Sequence, residues 1–333
     1  MMEKLFSWDD IKTLLPDFKP KKTAAGLFGI HLQPTGISIA YMLRDEKQLP
    51  ILQWCQSIPT KQIDNLTDIL APIVSKQQLA NCACNLVLSP SDYKLAVTDN
   101  LPVKAEELKN AVRWQVKDLI DFPVGEAAID VFPIPNASVL KKEPQLQVVV
   151  TRLARLKTLN DQINASGLTL TSIDITELAL RNITALFPED KQGIGLIWIK
   201  PDNCSLLITQ NNTIYFNRNF NPNFGAIANI ADDETLTETH QRLLEDVGLE
   251  IQRSLDYYQS QLRQPPLARL FMTSSQLAVL DYLSTRLTNK VESFNLNSVL
   301  NCKQNPANLL QKQCLAAIGG ALRTEQTHAT TAG

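Results

Sequence analysis

The sequence predicts an α/β protein of two lobes that face one another across a cleft. Residues 28–42 and residues 195–209 both run as a strand, a tight turn led by proline and a second strand, with Pro34 and Pro201 at the same place. After each segment, the apolar pattern continues as a third strand, a long helix, a fourth strand and another helix. A chain of 333 residues is long enough for two lobes with separate cores, so the repeat indicates a duplicated βββαβα unit.

The composition is that of an ordinary globular protein and excludes one class of partner. Apolar residues make up 44% of the chain and charged residues 20%, while the formal net charge is −2. This charge provides no global field for binding nucleic acid, so we expect none. The N-terminal residues lack the apolar core of a secretory signal, and no stretch approaches the length needed to span a bilayer. We therefore expect a cytoplasmic protein, and peripheral attachment to a membrane stays open.

The cysteines and histidines are too scattered to predict a metal site. Cys82 and Cys84 are the one close pair among six cysteines, and neither a histidine nor a second pair accompanies them at zinc-ligand spacing. We interpret the cysteines as reduced thiols of a reducing compartment, and we predict neither a metal nor a cofactor.

The first lobe is predicted over residues 25–188, after an N-terminal arm over residues 1–24. The arm carries apolar residues at rough helical spacing beside the lysines of residues 19–22, and two interpretations stay open. It either packs on the chain itself or contacts a partner or a membrane surface. The elements predicted for this lobe are strands at 27–32, 36–43, 49–56, 85–88 and 168–174, and helices at 62–80, 152–165 and 176–186.

An insertion of β-α-β type is predicted to interrupt the first lobe at about residues 90–150, without a counterpart in the second lobe. Its helix covers residues 104–120 and is bounded by Phe122 and Pro123. The apolar residues of this helix form one stripe, while the charged residues face elsewhere. The strands of the insertion are predicted at 93–99, 127–134 and 145–151.

The second lobe is predicted over residues 189–323, after a linker at 188–193 and before a flexible tail at 324–333. Asn211 and Asn212 are typical of a tight hairpin turn. The acidic residues 232–234 suit the start of a long helix, because carboxylates oppose the helix dipole there. The other elements predicted are strands at 193–200, 204–210, 213–219, 268–273 and 291–294, and helices at 276–288 and 307–323.

Four stretches resemble those of PilM-like pilus assembly proteins, which have the actin-like fold. Within this group, the chain is most similar to the MshI type of mannose-sensitive haemagglutinin (MSHA) pilus biogenesis. The resemblance extends over about residues 27–323, and its most telling stretches are LKNAVRWQVKDLIDFPVGEAAIDV at 108–131, DITELALRNI at 174–183, EIQRSLDYYQSQ at 250–261 and AIGGALR at 317–323.

The resemblance implies a nucleotide cleft, but the residues at its key positions do not suit a nucleotide. An actin-like site needs a carboxylate and small residues in the first hairpin of each lobe, so that Mg²⁺ and phosphate can approach. The carboxylate positions hold His31 and Trp198, the glycine positions hold Gln33 and Lys200, and Ser274 follows a strand that is expected to end in glycines. We therefore predict a degenerate nucleotide site without catalytic residues. An active actin-like ATPase or an ATP-binding assembly protein is the alternative.

The resemblance also implies an adaptor that binds the N-terminal cytoplasmic tail of a PilN-like bitopic inner-membrane protein. The tail is expected in a groove between the first lobe and the insertion. For each apolar residue of this groove, burial in the core is the alternative, and both roles can coexist. A homo-oligomer or ring is a further expectation from the family. The candidate groove residues are Leu108, Val112, Arg113, Trp114, Val116, Lys117, Ile120 and Phe122.

Overall fold

The structure is a computed structural model. It describes residues 26–324, with gaps at 45–49, 61–62, 64, 100, 104, 136–144, 201–202, 221, 231–234 and 275. The N-terminal arm, the acidic helix start at 232–234 and almost all of the predicted tail therefore lie outside the described residues.

The described residues alternate between strands and helices along the whole chain. In chain order the strands are β1 Leu27–Gln33, β2 Gly36–Leu43, β3 Ile51–Pro59, β4 Ala83–Leu88, β5 Tyr93–Asp99, β6 Ala127–Ile134, β7 Gln145–Arg152, β8 Thr169–Ile175, β9 Ile194–Lys200, β10 Asn203–Gln210, β11 Thr213–Asn219, β12 Arg269–Met272, β13 Val291–Ser293 and β14 Asn301–Cys302. The helices are α1 Leu66–Lys76, α2 Ala105–Gln115, α3 Leu153–Ala165, α4 Thr176–Thr184, α5 Glu238–Ser260, α6 Leu277–Ser284 and α7 Asn308–Ala321.

The two main sheets share one strand order, which confirms the predicted duplication. The first sheet runs β3-β2-β1-β4-β8 with β14 added at its edge, and the second runs β11-β10-β9-β12-β13. In each sheet the first three strands are antiparallel, and the later two continue parallel to the first. Each half thus extends the βββαβα unit by a fifth strand. The Asn211–Asn212 turn between β10 and β11 is also confirmed, since both residues have the positive φ that such a turn requires.

The insertion forms a small sheet of its own beside the first lobe. Its order is β5-β7-β6, and all pairs are antiparallel. Val112 on α2 and Val116, the residue directly after α2, are buried against this sheet. They belong to a core that is separate from those of the two lobes. Helix α2 ends at Gln115, and a short 3₁₀ turn over Lys117–Leu119 replaces the last part of the predicted helix.

The C-terminal segment packs on the first sheet, although the sequence assigned it to the second lobe. Strand β14 pairs with β3, and α7 lies across β1, β2 and α4. Glycines allow this close approach, because a Cβ on Gly29 would lie 2.0 Å from the carbonyl oxygen of Ala317. A Cβ on Gly319 would lie equally close to that of Ala179, at 2.0 Å. Backbone therefore meets backbone at both contacts.

The linker between the lobes is a 3₁₀ helix over Pro188–Gln192 that is anchored to the second sheet. The buried carboxylate of Asp190 accepts hydrogen bonds from Thr209 Oγ1 at 3.1 Å and from the Asn212 backbone N–H at 2.6 Å. These two bonds hold the linker against the β10–β11 hairpin.

Candidate functional site

A cavity of about 360 Å³ lies between the lobes, at the turns where the sequence predicted a degenerate nucleotide site. Gln33 reaches it from the β1–β2 turn, Lys200 from the end of β9 and Ser274 from the segment after β12. Helix α7 completes the wall with Leu309 and Lys312. The structure thus brings three of the five predicted residues together on the cavity surface.

Gln33 occupies the space at the first turn with its side chain. Its Nε2 atom donates to Ser38 Oγ at 2.9 Å and to the Gln313 carbonyl oxygen at 3.0 Å, so the amide spans from β1 to α7. A glycine at this position would leave the backbone N–H groups open to a phosphate. The glutamine instead ties the turn to a helix of the same lobe.

His31 lies behind this turn and is completely buried. Its Nε2 is 3.5 Å from Thr176 Oγ1, and its ring centroid is 6.1 Å from that of Trp198, which is also buried. Burial, and then the positive charge of Lys200, hold the pKa of His31 well below its usual range. The imidazole is therefore neutral at physiological pH. It stands where an actin-like site would have a carboxylate for a hydrated cation.

Lys200 and Lys312 give the cavity a positive lining. Lys200 is largely buried, and its Nζ lies 4.4 Å from the centroid of the Trp198 ring, within the range of a cation–π interaction. None of the described residues that line the cavity is acidic. Across the described part of the chain, moreover, no group of three or more His, Cys, Asp or Glu side chains could hold a metal ion. The charged side chains among the described lining residues are therefore both cationic.

The segment after β12 is held by one hydrogen bond within itself and by bonds to β9 and β13. Thr273 Oγ1 accepts from the Ile199 backbone N–H at 2.9 Å, and Ser274 Oγ accepts from the Gln276 N–H at 3.3 Å. The Ser274 carbonyl oxygen accepts from Ser293 Oγ at 3.0 Å. The segment therefore presents side chains and satisfied backbone groups where the family resemblance expects glycines.

The predicted groove residues on the insertion separate into three kinds. Val112 and Val116 are fully buried in the core of the insertion, and Leu108, Ile120 and Phe122 are half-buried against it. Arg113 donates from Nη1 to the carbonyl oxygens of Val124 at 2.7 Å and Ala127 at 3.1 Å, which fixes the segment after the helix. Only Trp114, at 70% exposure, and Lys117 lie fully on the surface.

Three further exposed apolar side chains of the insertion were not among the predicted site residues. They are Val97 on β5, Val103 just before α2, and Leu119 on the 3₁₀ turn. Sequence reasoning placed Leu119 on the apolar stripe of a continuous helix, and the actual end of α2 at Gln115 turns it outward. After the 3₁₀ turn, the Phe122 ring lies under the guanidinium of Arg152, with its centroid 4.2 Å from the guanidinium carbon.

A buried carboxylate that sequence reasoning did not single out joins the insertion to both lobes. Glu177 on α4 accepts from the Tyr93 hydroxyl of β5 at 2.6 Å and from Asn217 Nδ2 of β11 at 3.2 Å. Burial raises the pKa of Glu177, and burial followed by the nearby carboxylate raises the pKa of Tyr93 well above its usual range. The residue stands in the stretch 174–183, but the sequence alone does not indicate its partners.

Comparison with solved structures reveals the fold. A chain of the PilM–PilN type IV pilus biogenesis complex is similar, with a TM-score of 0.65 and 17% identity, over 90% of this chain and 98% of that chain. Weaker similarity, with a TM-score of 0.47 over the same shares, is found to the cytoplasmic domain of EpsL, an inner-membrane component of the type II secretion system of Vibrio cholerae, at 12% identity. A Bacteroides thetaiotaomicron protein with an actin-like ATPase fold is likewise similar, with a TM-score of 0.47 over those shares and 11% identity.

Sequence comparison finds neither a matching family model nor a matching curated protein. No helix in the described residues combines the length and the apolar character that a membrane span requires. The likeness to the PilM–PilN chain and the repeated strand order together show that this chain has the actin-like fold.

Proposed function

We propose that the chain is a non-enzymatic adaptor of type IV pilus biogenesis, of the MSHA type represented by MshI. In this proposal it binds the N-terminal cytoplasmic tail of a PilN-like inner-membrane protein, which keeps it at the cytoplasmic face of the inner membrane. The fold similarity to the PilM–PilN chain supports the choice of system and partner. Assembly into a homo-oligomer or ring remains a prediction of the family resemblance.

We propose that the chain is not catalytic because of the residues in its cleft, above all His31 and Trp198. Phosphoryl transfer on this fold needs carboxylates that hold Mg²⁺, whereas the two positions hold a neutral buried imidazole and an indole. Gln33 further occupies the first phosphate turn by bonding to Ser38 and Gln313. Loss of even one group that stabilises charge in a transition state typically lowers the rate by about 10²–10³-fold.

Calorimetry of the full chain with Mg-ATP, together with a phosphate-release assay, tests this part of the proposal. We expect no phosphate release above a blank without protein. Micromolar binding of Mg-ATP together with turnover would refute the non-enzymatic assignment and restore the ATPase alternative.

The insertion is the proposed binding surface for the tail. Val97, Val103, Trp114 and Leu119 are half of the large apolar side chains that are strongly exposed in the described residues, although the insertion is a small part of the chain. Exposed aromatic and aliphatic side chains beside a charged rim are typical of peptide-binding surfaces. In this proposal the tail contacts Trp114 and the half-buried Leu108, Ile120 and Phe122. The rim of the surface is formed by Arg113 and Lys117. The helix is held in place by the buried Val112 and Val116.

Binding of synthetic peptides to the full chain tests the surface directly. The peptides correspond to the N-terminal tails of bitopic membrane proteins encoded by neighbouring genes. Because a central tryptophan typically contributes at least about 2 kcal/mol to binding, Trp114→Ala should weaken binding by at least about 30-fold. Tyr257→Ala is the matched control, since Tyr257 is an exposed aromatic residue on α5 of the second lobe. Equal binding by both variants would exclude this surface, and no binding by the parent chain would exclude the partner.

A second candidate function, an ATP-binding assembly protein, is favoured by the cavity itself. Its volume of about 360 Å³ falls within the range of small-molecule sites, roughly 300–1,000 Å³. Lys200 and Lys312 also suit a phosphate chain. Calorimetry with ATP, with and without EDTA, distinguishes an ATP-binding assembly protein from an adaptor whose cleft has lost its nucleotide site. Binding that needs Mg²⁺ favours the second candidate, and binding that persists with EDTA indicates a metal-free anion site compatible with an adaptor.

A further inference from the structure

Three cysteines that are far apart in the sequence meet on one face of the first sheet. Cys55 lies on β3, Cys302 on β14 and Cys314 on α7. Cys314 is fully buried, while Cys55 and Cys302 are half-buried and pack against the same core. All three are free thiols in the structure.

The sheet register places Cys55 under α7. Gly29, Ala40 and Cys55 are directly opposite one another across β1, β2 and β3, so their side chains point to the same face. Helix α7 lies on that face, because Ala317 contacts Gly29. Cys314 precedes Ala317 by about one helical turn and therefore faces the sheet near Cys55.

The two thiols shift each other's pKa in opposite directions. A hydrogen bond from the Cys314 thiol lowers the pKa of Cys55, and the same bond together with burial raises the pKa of Cys314. Burial and the neighbouring Cys55 raise the pKa of Cys302. Cys55 is thus the thiol of the three that ionises first, and it is also partly accessible.

We propose that Cys55 and Cys314 are a redox-active pair that forms a reversible disulfide when the chain meets a peroxide. The Cys55 thiolate attacks one peroxide oxygen, the O–O bond breaks, and the leaving hydroxide takes up the proton that Cys55 released, which gives a sulfenic acid and the first water. The Cys314 sulfur then attacks the Cys55 sulfur, the S–OH bond breaks, and the hydroxide leaves with the Cys314 thiol proton as the second water. Two thiols are oxidised and one peroxide is reduced to two waters, so the step needs no other reactant.

The disulfide would fix the wall of the inter-lobe cavity. Leu309, Lys312 and Gln313 on α7 line the cavity directly before Cys314, and Ser57 and Ile58 on β3 line it just after Cys55. A covalent bond between β3 and α7 therefore joins two walls of the same cavity. The cleft would therefore have an oxidised form with this cross-link and a reduced form without it.

Mass spectrometry of the full chain tests the proposal. The protein is treated with hydrogen peroxide, alkylated, and digested without reductant. We expect a peptide pair linked through Cys55 and Cys314, two fewer alkylated thiols per chain, and return of both thiols with dithiothreitol. A link that includes Cys302, a sulfinic acid on Cys55 with Cys314 still a thiol, or a full set of alkylated thiols would each overturn the proposal.

Variants of the other cysteines complete the test. Cys55→Ala removes a half-buried thiol and should abolish the link, whereas Cys302→Ala should leave it intact. Cys82 and Cys84 are an internal control, because both are fully buried, lie two positions apart in the sequence and are outside the cluster. They should remain thiols after the same treatment. Loss of the Cys55–Cys314 link in Cys302→Ala, or a link between Cys82 and Cys84, would show that oxidation does not select the proposed pair.

Discussion

Replacing His31 with phenylalanine tests whether the first hairpin of the cleft excludes charge. The imidazole is completely buried, and its Nδ1 atom has no hydrogen-bond partner. Phenylalanine keeps a planar ring at this position but cannot take up a proton. Thr176 Oγ1 keeps its bond to the Leu88 carbonyl oxygen at 3.1 Å, so the substitution leaves that hydroxyl satisfied.

The expected effect follows from the direction of the pKa shift. The folded-state pKa of His31 is well below the unfolded value of 6.5, chiefly through burial. Above that value the residue is neutral in both states, and its contribution to stability is fully present. As the pH falls below it, only the unfolded chain binds the proton, so the free energy of unfolding decreases by about 1.4 kcal/mol per pH unit until the folded pKa is reached.

Urea unfolding at a series of pH values measures this loss. Tryptophan fluorescence and circular dichroism are followed together, so that separate unfolding of the lobes can be recognised. His31→Phe should lack the loss that the parent chain shows below pH 6.5. His240→Gln is the control, because His240 is only half-buried at a helix cap and glutamine can keep the capping geometry. Parallel loss of stability in the parent chain and His31→Phe would refute the reasoning and show that the hairpin accepts a charged imidazole.

The remaining predictions concern packing, the buried carboxylate and the thiol pair. Gly319→Ala should destabilise the chain by about 3 kcal/mol in urea unfolding because its Cβ meets backbone, whereas Gly125→Ala, with open space around the added Cβ, should be nearly neutral. Because the folded-state pKa of Glu177 is raised, its contribution to the free energy of unfolding is fully present below the unfolded-state pKa of 4.5 and is lost as the pH rises through the folded-state pKa. Glu177→Gln should therefore reduce the decrease in the free energy of unfolding over this pH range, measured by urea unfolding. The Cys55–Cys314 disulfide should raise the free energy of unfolding by about 4 kcal/mol, and a parent chain that shows no gain after oxidation would contradict it.

Local sequence signals predicted most of the elements, because strands and tight turns depend on nearby residues. The strands β2, β5, β6 and β11 have the predicted bounds, and the Asn211–Asn212 turn has the predicted backbone conformation. Helix ends were less accurate. α2 was expected to continue to residue 120, but it ends at Gln115, where the chain turns so that Val116 remains in the core and Leu119 points outward.

Long-range packing could not be predicted in the same way. Nothing in the local pattern of residues 301–321 indicates which sheet they join, and β14 is only two residues long. The glycines of α7 explain the choice only once the contacts of Gly319 and Gly29 with neighbouring backbone are known. Likewise, helical spacing placed Val112 on the apolar stripe of α2 and Trp114 outside it, in agreement with their burial, but spacing alone could not show whether either residue contacts a partner.

The stretches that resemble PilM-like proteins differ in what they explain. Residues 174–183 and 317–323 pack against one another: Asn182 Nδ2 donates to the Gly319 carbonyl oxygen at 2.9 Å, and Asp174 forms an ion pair with Arg323. Their resemblance is accounted for by the contact between α4 and α7, and it is evidence of fold. Residues 108–131, in contrast, carry Trp114 on the surface, where packing does not require it. The proposed binding of a partner therefore rests on this stretch, and the peptide experiment with Trp114→Ala tests it directly.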